Sequence, residues 1–402
     1  MTTTTVTNTK ELVRVLRVAR GGETILLAPG QYGDLALSGV RPGSQVTIRS
    51  ANPDNDAMFD SVKLSRVANL VFEDIDVSHV LGPNEADFAA GVMVNTSSNV
   101  SFVGIDLAGS INGNPFDDGN GLMVTNSSRI TVLDSSFREF NNAASFSRSS
   151  DVIFAGNTIR DAREGVNITQ IDGGLFERNY VTDIRPDVSK RDHSDAFQVQ
   201  AGGANGISRD LVFNANVIMG DDNQGIFISS EKAQSLGLVH SNIVITNNYV
   251  EGNLRNAISA ADIDGVVVTG NTVRDADGAG VVPGLTISNL SDGVISRNVV
   301  PLVDIRAGAA FANVNLTIAD NIDIWDSTQR RGFAATDLFA APVGTGNIDF
   351  SALGVRGGST AAAIGAGFHA VAGIGNLAGN AGAQLAMYLP QLDSQFTAAY
   401  PL

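Results

Sequence analysis

One residue type keeps its place along this chain: an asparagine at the end of a short apolar strand. Asn157, Asn179, Asn216, Asn248, Asn271, Asn298 and Asn321 each close such a segment, as in Val152-Ile-Phe-Ala-Gly-Asn157 and Val266-Val-Val-Thr-Gly-Asn271. Upstream the same place holds Ile75, Ile105 and Ser135. Most spacings are 22 to 27, but Asn179 to Asn216 is 37 and Asn216 to Asn248 is 32. An inward polar column is costly unless it is hydrogen-bonded. A side-chain amide meets that need by bonding its own turn and the amide of the next coil. A repeat of about 22 residues without a Leu-x-x-Leu-x-Leu frame fits a solenoid of short strands rather than a leucine-rich repeat. The fold class expected is all-β: a single-stranded right-handed parallel β-helix with an asparagine ladder.

A second strand recurs about ten residues after each turn, as in Gly91-Val-Met-Val94, Gly121-Leu-Met-Val124, Gly165-Val-Asn-Ile168 and Gly225-Ile-Phe-Ile228. Its alternation predicts one buried face. At the N-terminus, Lys10 to Ala19 carries Leu12, Val13, Val15, Leu16 and Val18 and predicts a short amphipathic helix, capped by Asn8 or Thr9. A solenoid needs such a lid over its open end. The expected division is a cap over 1–32, coils over 33–330, and closing turns with a Gly/Ala-rich tail over 331–402.

At this point the chain resembles the pectin-lyase-like superfamily of right-handed β-helices over roughly residues 10–367. Gly22-Glu-Thr-Ile-Leu-Leu-Ala-Pro-Gly-Gln-Tyr32 is similar to that superfamily's Gly-Asp-Thr-Ile-x-Leu-x-Pro-Gly-x-Tyr opening. The asparagine column matches its ladder, and Ala363-Ile-Gly-Ala-Gly367 its closing motif. Members include pectate and alginate lyases, mannuronan epimerases, polygalacturonases and phage tailspikes. The resemblance implies a long polysaccharide as ligand and leaves the reaction open.

The two widest spacings mark adjacent insertions, and solenoid insertions gather on one face. The first carries Asp187-Val-Ser-Lys-Arg-Asp-His-Ser-Asp195, and the second carries Asp221-Asp222-Asn223-Gln224. Stacking the residue before each second strand gives a polar column: Asn120, Asn142, Glu164, Asp195, Gln224 and Asn256. Arg163 and Arg255 fall one position earlier. Such residues suit hydroxyl and carboxylate partners. The column is expected to lie exposed in a groove between the insertions, with His193 near Glu164 and Gln224.

Three chemistries fit. In a lyase or C5-epimerase, His193 or Lys190 removes the proton beside a uronate carboxylate while Arg163, Arg191 or Arg255 stabilises the developing charge. Asp192-His193-Ser-Asp195 resembles the Asp-Pro-His-Glu signature of mannuronan epimerases without its proline and offset by one residue. In a glycosidase, Glu164 and Asp195 on neighbouring coils would be the carboxylate pair. In a metal site, Asp192, Asp195, Asp221 and Asp222 would hold Ca²⁺. Asp221-Asp222-Asn223 is equally a good turn sequence.

The net charge of −16 argues against nucleic acid and anionic membrane as partners. It also means that an acidic glycan would need a local cation. No 18-residue apolar stretch is present, so no membrane span is expected. The chain has no cysteine and shows no signal peptide. That leaves the cytosol, export by a route without an N-terminal signal, or release in a particle such as a virion. For a glycan-directed chain the expected place is outside the cell or on a virion. Two classes compete: a polysaccharide-cleaving enzyme, and a non-catalytic receptor-binding spike, for which a homotrimer or virion attachment would be natural.

Overall fold

A computed structural model describes residues 2–323, apart from 188, 190, 191, 203–205, 221, 277–280 and 307–312. Lys190, Arg191, Asp221, the boundary expected near 330 and the closing motif at 363–367 lie outside the described residues. The strands form one continuous system in which every recorded pairing is parallel. In a typical coil, Asn120–Thr125, Ser128–Leu133 and Ser136–Arg138 follow one another. Each pairs with its counterpart in the coil before and the coil after.

The corners explain the ladder. The residue just before each ladder position takes a left-handed backbone conformation, including Asp134 (φ 50°), Arg178 (φ 52°) and Asn247 (φ 53°). That sharp turn aims the next main-chain N–H away from a strand partner, and a buried N–H must be satisfied. The asparagine one coil on supplies the acceptor. Asn179 N–H donates to Asn216 Oδ1 (3.0 Å), and Asn216 N–H donates to Asn248 Oδ1 (3.0 Å). The Asn216 amide Nδ2 also donates to the Phe176 carbonyl (2.9 Å) and to Asn248 Oδ1 (2.9 Å). The series runs from Ser135 to Asn321 without a gap.

A second ladder stands at the corner after the second strand. Ser97 N–H donates to Ser127 Oγ (3.1 Å) and Ser127 N–H to Ser149 Oγ (3.0 Å). Ile171 N–H donates to Ser208 Oγ (3.1 Å), and His240 then takes the serine's place, accepting Ser208 N–H at Nδ1 (2.9 Å). The geometric cause is the same, because Thr96, Asn126, Arg148 and Gln170 precede these positions in left-handed conformations.

Between the corners, alternate side chains fill the tube. Phe72 stacks on Phe102 (centroids 5.5 Å apart) and Phe176 on Phe213 (5.2 Å). At the N-terminus, helix α1 spans Thr9–Leu16 and stops short of the expected Ala19. Asn8 caps it by accepting Glu11 N–H (3.0 Å), and Leu12 and Leu16 enter the core.

Candidate functional site

A third corner, opening the second strand, is lined by small residues: Gly121, Ala143, Gly165, Ala196, Gly225 and Ala257. A Cβ at Gly165 would sit 2.2 Å from the Ala196 carbonyl oxygen, so only glycine fits at that position. The polar column occupies the position just before this bend. Its stacking follows the sequence reading: Asn120 pairs with Asn142, Asn142 with Glu164, and Asp195 with Gln224.

The expected exposure of the column is corrected. Asn120, Glu164, Asp195 and Gln224 are all buried, with Asp195 at 0%. The bend breaks the two-residue alternation, so Asp195 and Gln198 share a side. Gln198 Nε2 then reaches Asp195 Oδ2 at 2.5 Å and closes over it.

Glu164, Asp195 and His193 form one cluster. Asp195 N–H donates to Glu164 Oε1 (3.1 Å), and His193 Nδ1 lies 3.8 Å from Asp195 Oδ2. The His193 side chain is 58% exposed, so it is the face of the cluster that meets solvent. Burial first, and the Asp195 charge second, push the Glu164 carboxyl up to about 8. Burial likewise raises Asp195, against the polar contact of His193. His193 is raised above its ordinary value, chiefly by its contact with the Asp195 carboxyl. The pair of acids beneath the imidazole therefore holds a proton at neutral pH.

Arg163, expected to meet substrate, is engaged inside the protein. It lies 2.6 Å from Asp192 Oδ2 and 3.5 Å from Glu164 Oε2. Asp192 is thereby committed as a counter-ion and Asp195 to Gln198 and His193, while Asp222 stands exposed. Among the described residues no three acidic or histidine side chains converge as a metal site. Arg255 turns to Asp304 (3.4 Å), and Asn256 accepts the Thr286 hydroxyl (3.2 Å), so neither joins the His193 cluster.

His193 opens onto a cleft of about 200 Å³ lined also by Gln198, Gln200, Ala201, Phe227, Ser229 and Lys232. The Phe227 ring lies 6.1 Å from the imidazole. Sequence reasoning missed Gln198, Phe227 and Lys232. The first two are paired in register on the outward side of their strands, a column visible in the alternation. Lys232 belongs to helix α2, Glu231–Gln234, within the second insertion. Buried Asp262 anchors that turn by accepting Ser230 N–H (3.2 Å) and the Gln234 amide. His240 Nε2 meets the Ser229 carbonyl (2.9 Å), which assigns the ring proton to Nε2 and leaves Nδ1 as acceptor.

Four buried polar atoms without partners gather on these two coils: Ser194 Oγ, Asp195 Oδ1, Asn223 Oδ1 and Gln224 Oε1. Orphaned groups of this kind are a mark of function or of bound solvent. No helix among the described residues is long and apolar enough to cross a membrane.

Residues 90–237 match the family model described as the right-handed beta helix region, a span that contains the whole cluster from Glu164 to Lys232. No curated protein sequence matches the chain. Among solved structures, the chain is similar to the A-module of Azotobacter vinelandii mannuronan C-5 epimerase AlgE4. The identity is 14%, over 79% of this chain and 97% of that one, with a TM-score of 0.53. The A-module of AlgE6 from the same organism is similar at 14% identity, over 79% and 99%, with a TM-score of 0.51. At such identity the likeness is one of fold. Over its described residues the chain is a right-handed parallel β-helix, the fold it shares with these A-modules.

Proposed function

We propose that this chain acts on a long, uronate-containing polysaccharide by acid–base chemistry at His193. One observation carries the reading: an exposed imidazole is backed by the fully buried Asp195 carboxyl, and the Asp195 main-chain N–H bonds a second buried carboxyl, that of Glu164. That is the arrangement of a general base held by an orienting group. A glycosidase needs two carboxyls flanking the sugar bond. Glu164 and Asp195 lie beneath the surface, so burial argues against that alternative.

In the elimination reading, neutral His193 takes the proton from the carbon beside the uronate carboxylate. The electrons of that C–H bond form a carbon–carbon double bond, and the neighbouring glycosidic C–O bond breaks. The imidazolium returns its proton to the leaving oxygen. Lys232, across the cleft, supplies positive charge to the substrate carboxylate. Epimerisation begins with the same proton abstraction and differs in returning a proton to the opposite face of the carbon. The natural setting for such an activity is extracellular or virion-borne.

The test is incubation with alginate, polygalacturonate and neutral glycans. Unsaturated-product absorbance that His193→Ala abolishes supports elimination, with a rate loss of about 10²-fold or more. New reducing ends without absorbance would mean a hydrolase. Altered uronate stereochemistry without cleavage would mean an epimerase, and retention without product would mean a spike that only binds.

A further inference from the structure

Thirteen phenylalanines precede residue 300 in this chain, and all but two are buried or half-buried. The exceptions are Phe88, 69% exposed, and Phe116, 40% exposed. Both stand on loops of successive coils, just ahead of the paired strands Ala90–Asn95 and Asn120–Thr125. Val80 and Ile111, exposed on the same two loops, widen the apolar surface.

These loops are held firmly. Asn120 Nδ2 donates to the Phe88 carbonyl (2.9 Å), and Asn120 N–H donates to the Ala89 carbonyl (2.7 Å). Glu139, buried, accepts the Gly113 and Asn114 N–H groups, and Asp118 accepts Ser110 N–H (2.8 Å). An aromatic ring kept in water on an anchored backbone is unlike a ring on a loose loop. Exposed apolar patches of this kind mark interaction sites.

The patch lies on the coils that lead in register to the His193 cleft, since Asn120 pairs with Asn142 and Asn167 pairs with Gln198 on the cleft wall. An amide chain leads from it: Asn142 donates to Asn120 Oδ1 (2.7 Å), and Asn167 donates to Asn142 Oδ1 (3.0 Å). Asn142 pairs in register with Glu164. Arg185, in the insertion that carries His193, donates to the Gly113 carbonyl (3.3 Å) on the Phe116 loop. Ala90 to Glu164 is three coil steps, or about 14 Å.

We propose that Phe88 and Phe116 form a stacking platform for the apolar faces of sugar rings, a distal subsite that takes the same polysaccharide as it runs along the coils from His193. The proposal rests on the polysaccharide reading of the cleft and adds a length requirement. A flat ring face suits a pyranose face, and stacking is indifferent to the sugar's charge. A mono- or disaccharide in the cleft leaves the platform empty, whereas a polymer covers both.

The test compares Phe88→Ala, Phe116→Ala and the double variant with the unmodified chain. Binding to polymeric alginate and polygalacturonate is measured by gel retardation and calorimetry, and binding to their disaccharides by calorimetry. The expected result is polymer binding weakened about tenfold per ring, in line with the burial of one phenylalanine. Disaccharide binding should stay unchanged, and Phe88→Trp should restore polymer binding. Both rings are exposed, so the variants should fold as the parent does. Polymer binding within about twofold of the parent in the double variant would overturn the platform. So would a change of oligomeric state without a change in glycan binding. Turnover kept in His193→Ala, with polymer binding lost in the double phenylalanine variant, would overturn the His193 reading and leave the platform standing. No binding of either polymer by the parent would overturn both readings.

Discussion

Glu164 makes the stability of this protein fall as pH rises. In the unfolded chain its carboxyl ionises near 4.5, and in the folded chain it does so at about 8. Below 4.5 both states hold the proton, and the side chain carries no charge penalty. Between 4.5 and about 8 the unfolded state releases the proton while the folded state keeps it, so each pH unit costs about 1.4 kcal/mol of folding stability. Above that window both states are ionised, and the loss levels off at roughly 5 kcal/mol. This is an upper figure, because a local opening of the corner would rehydrate the carboxylate. Glu164→Gln keeps an oxygen to accept Asp195 N–H but cannot ionise. Its urea midpoint should match the parent near pH 4.5 and exceed it increasingly up to pH 8. Solenoids can unfold in parts, so exchange of the Asp195 amide gives a second, local reading. It should slow in the variant at pH 8 and not at pH 5. A parent and variant whose stability difference stays within about 1 kcal/mol across that range would refute the assignment. Asp195→Asn should narrow the window, since the Asp195 charge is the second cause holding the Glu164 proton.

Asn216→Ala leaves Asn179 N–H and the Phe176 carbonyl buried without partners, and should cost about 2–5 kcal/mol in denaturant unfolding, with exchange protection lost in the flanking coils first. His240→Ser restores the serine of the second ladder but removes the link to the Ser229 carbonyl. Amide exchange should therefore quicken in Glu231–Gln234 while Ser208 stays protected. If the base is His193, activity should rise with pH through a value above its ordinary 6.5, and Asp195→Asn should move that limb down, as read in kcat/KM profiles.

Much of the fold was legible because the ladder asparagine is forced by backbone geometry. A left-handed residue turns the chain, strands an N–H, and only a side chain of the right length one coil on can accept it. Such a need writes itself into the sequence at fixed register, whatever the loops do. The serine ladder answers the same need less visibly. Ser97, Ser127, Ser149 and Ser208 sit among many turn serines, and the series is interrupted by Ile171 and passes to His240. At the candidate site, register was legible and depth was not. Stacking placed Glu164 beside Asp195 and Gln224, but alternation implied exposure. The bend at Gly165, Ala196 and Gly225 cancels that alternation, and the Asp195 carboxyl folds beneath Gln198. Lys232 was illegible for another reason, since a four-residue helix inside an insertion has no periodicity to detect.

The two ladders bear differently on the site. The asparagine series passes through Asn179, Asn216 and Asn248 at 2.9–3.0 Å, across the widest insertions of the chain. Closing a longer loop costs little more than closing a short one, so a corner that repeats its bonds faithfully can carry insertions of 10 or 15 extra residues without losing register. The serine series is where the fold departs from its own pattern. His240 enters it in the coil that carries α2 and ties that corner to Ser229, on the wall of the cleft. One corner thus keeps the coils aligned, and another positions the loop that walls the His193 cleft. The burial of Glu164 and Asp195 follows from this division. Two acids can be kept out of water only where the coils on either side are held in register, and the coil beneath His193 is held by both ladders.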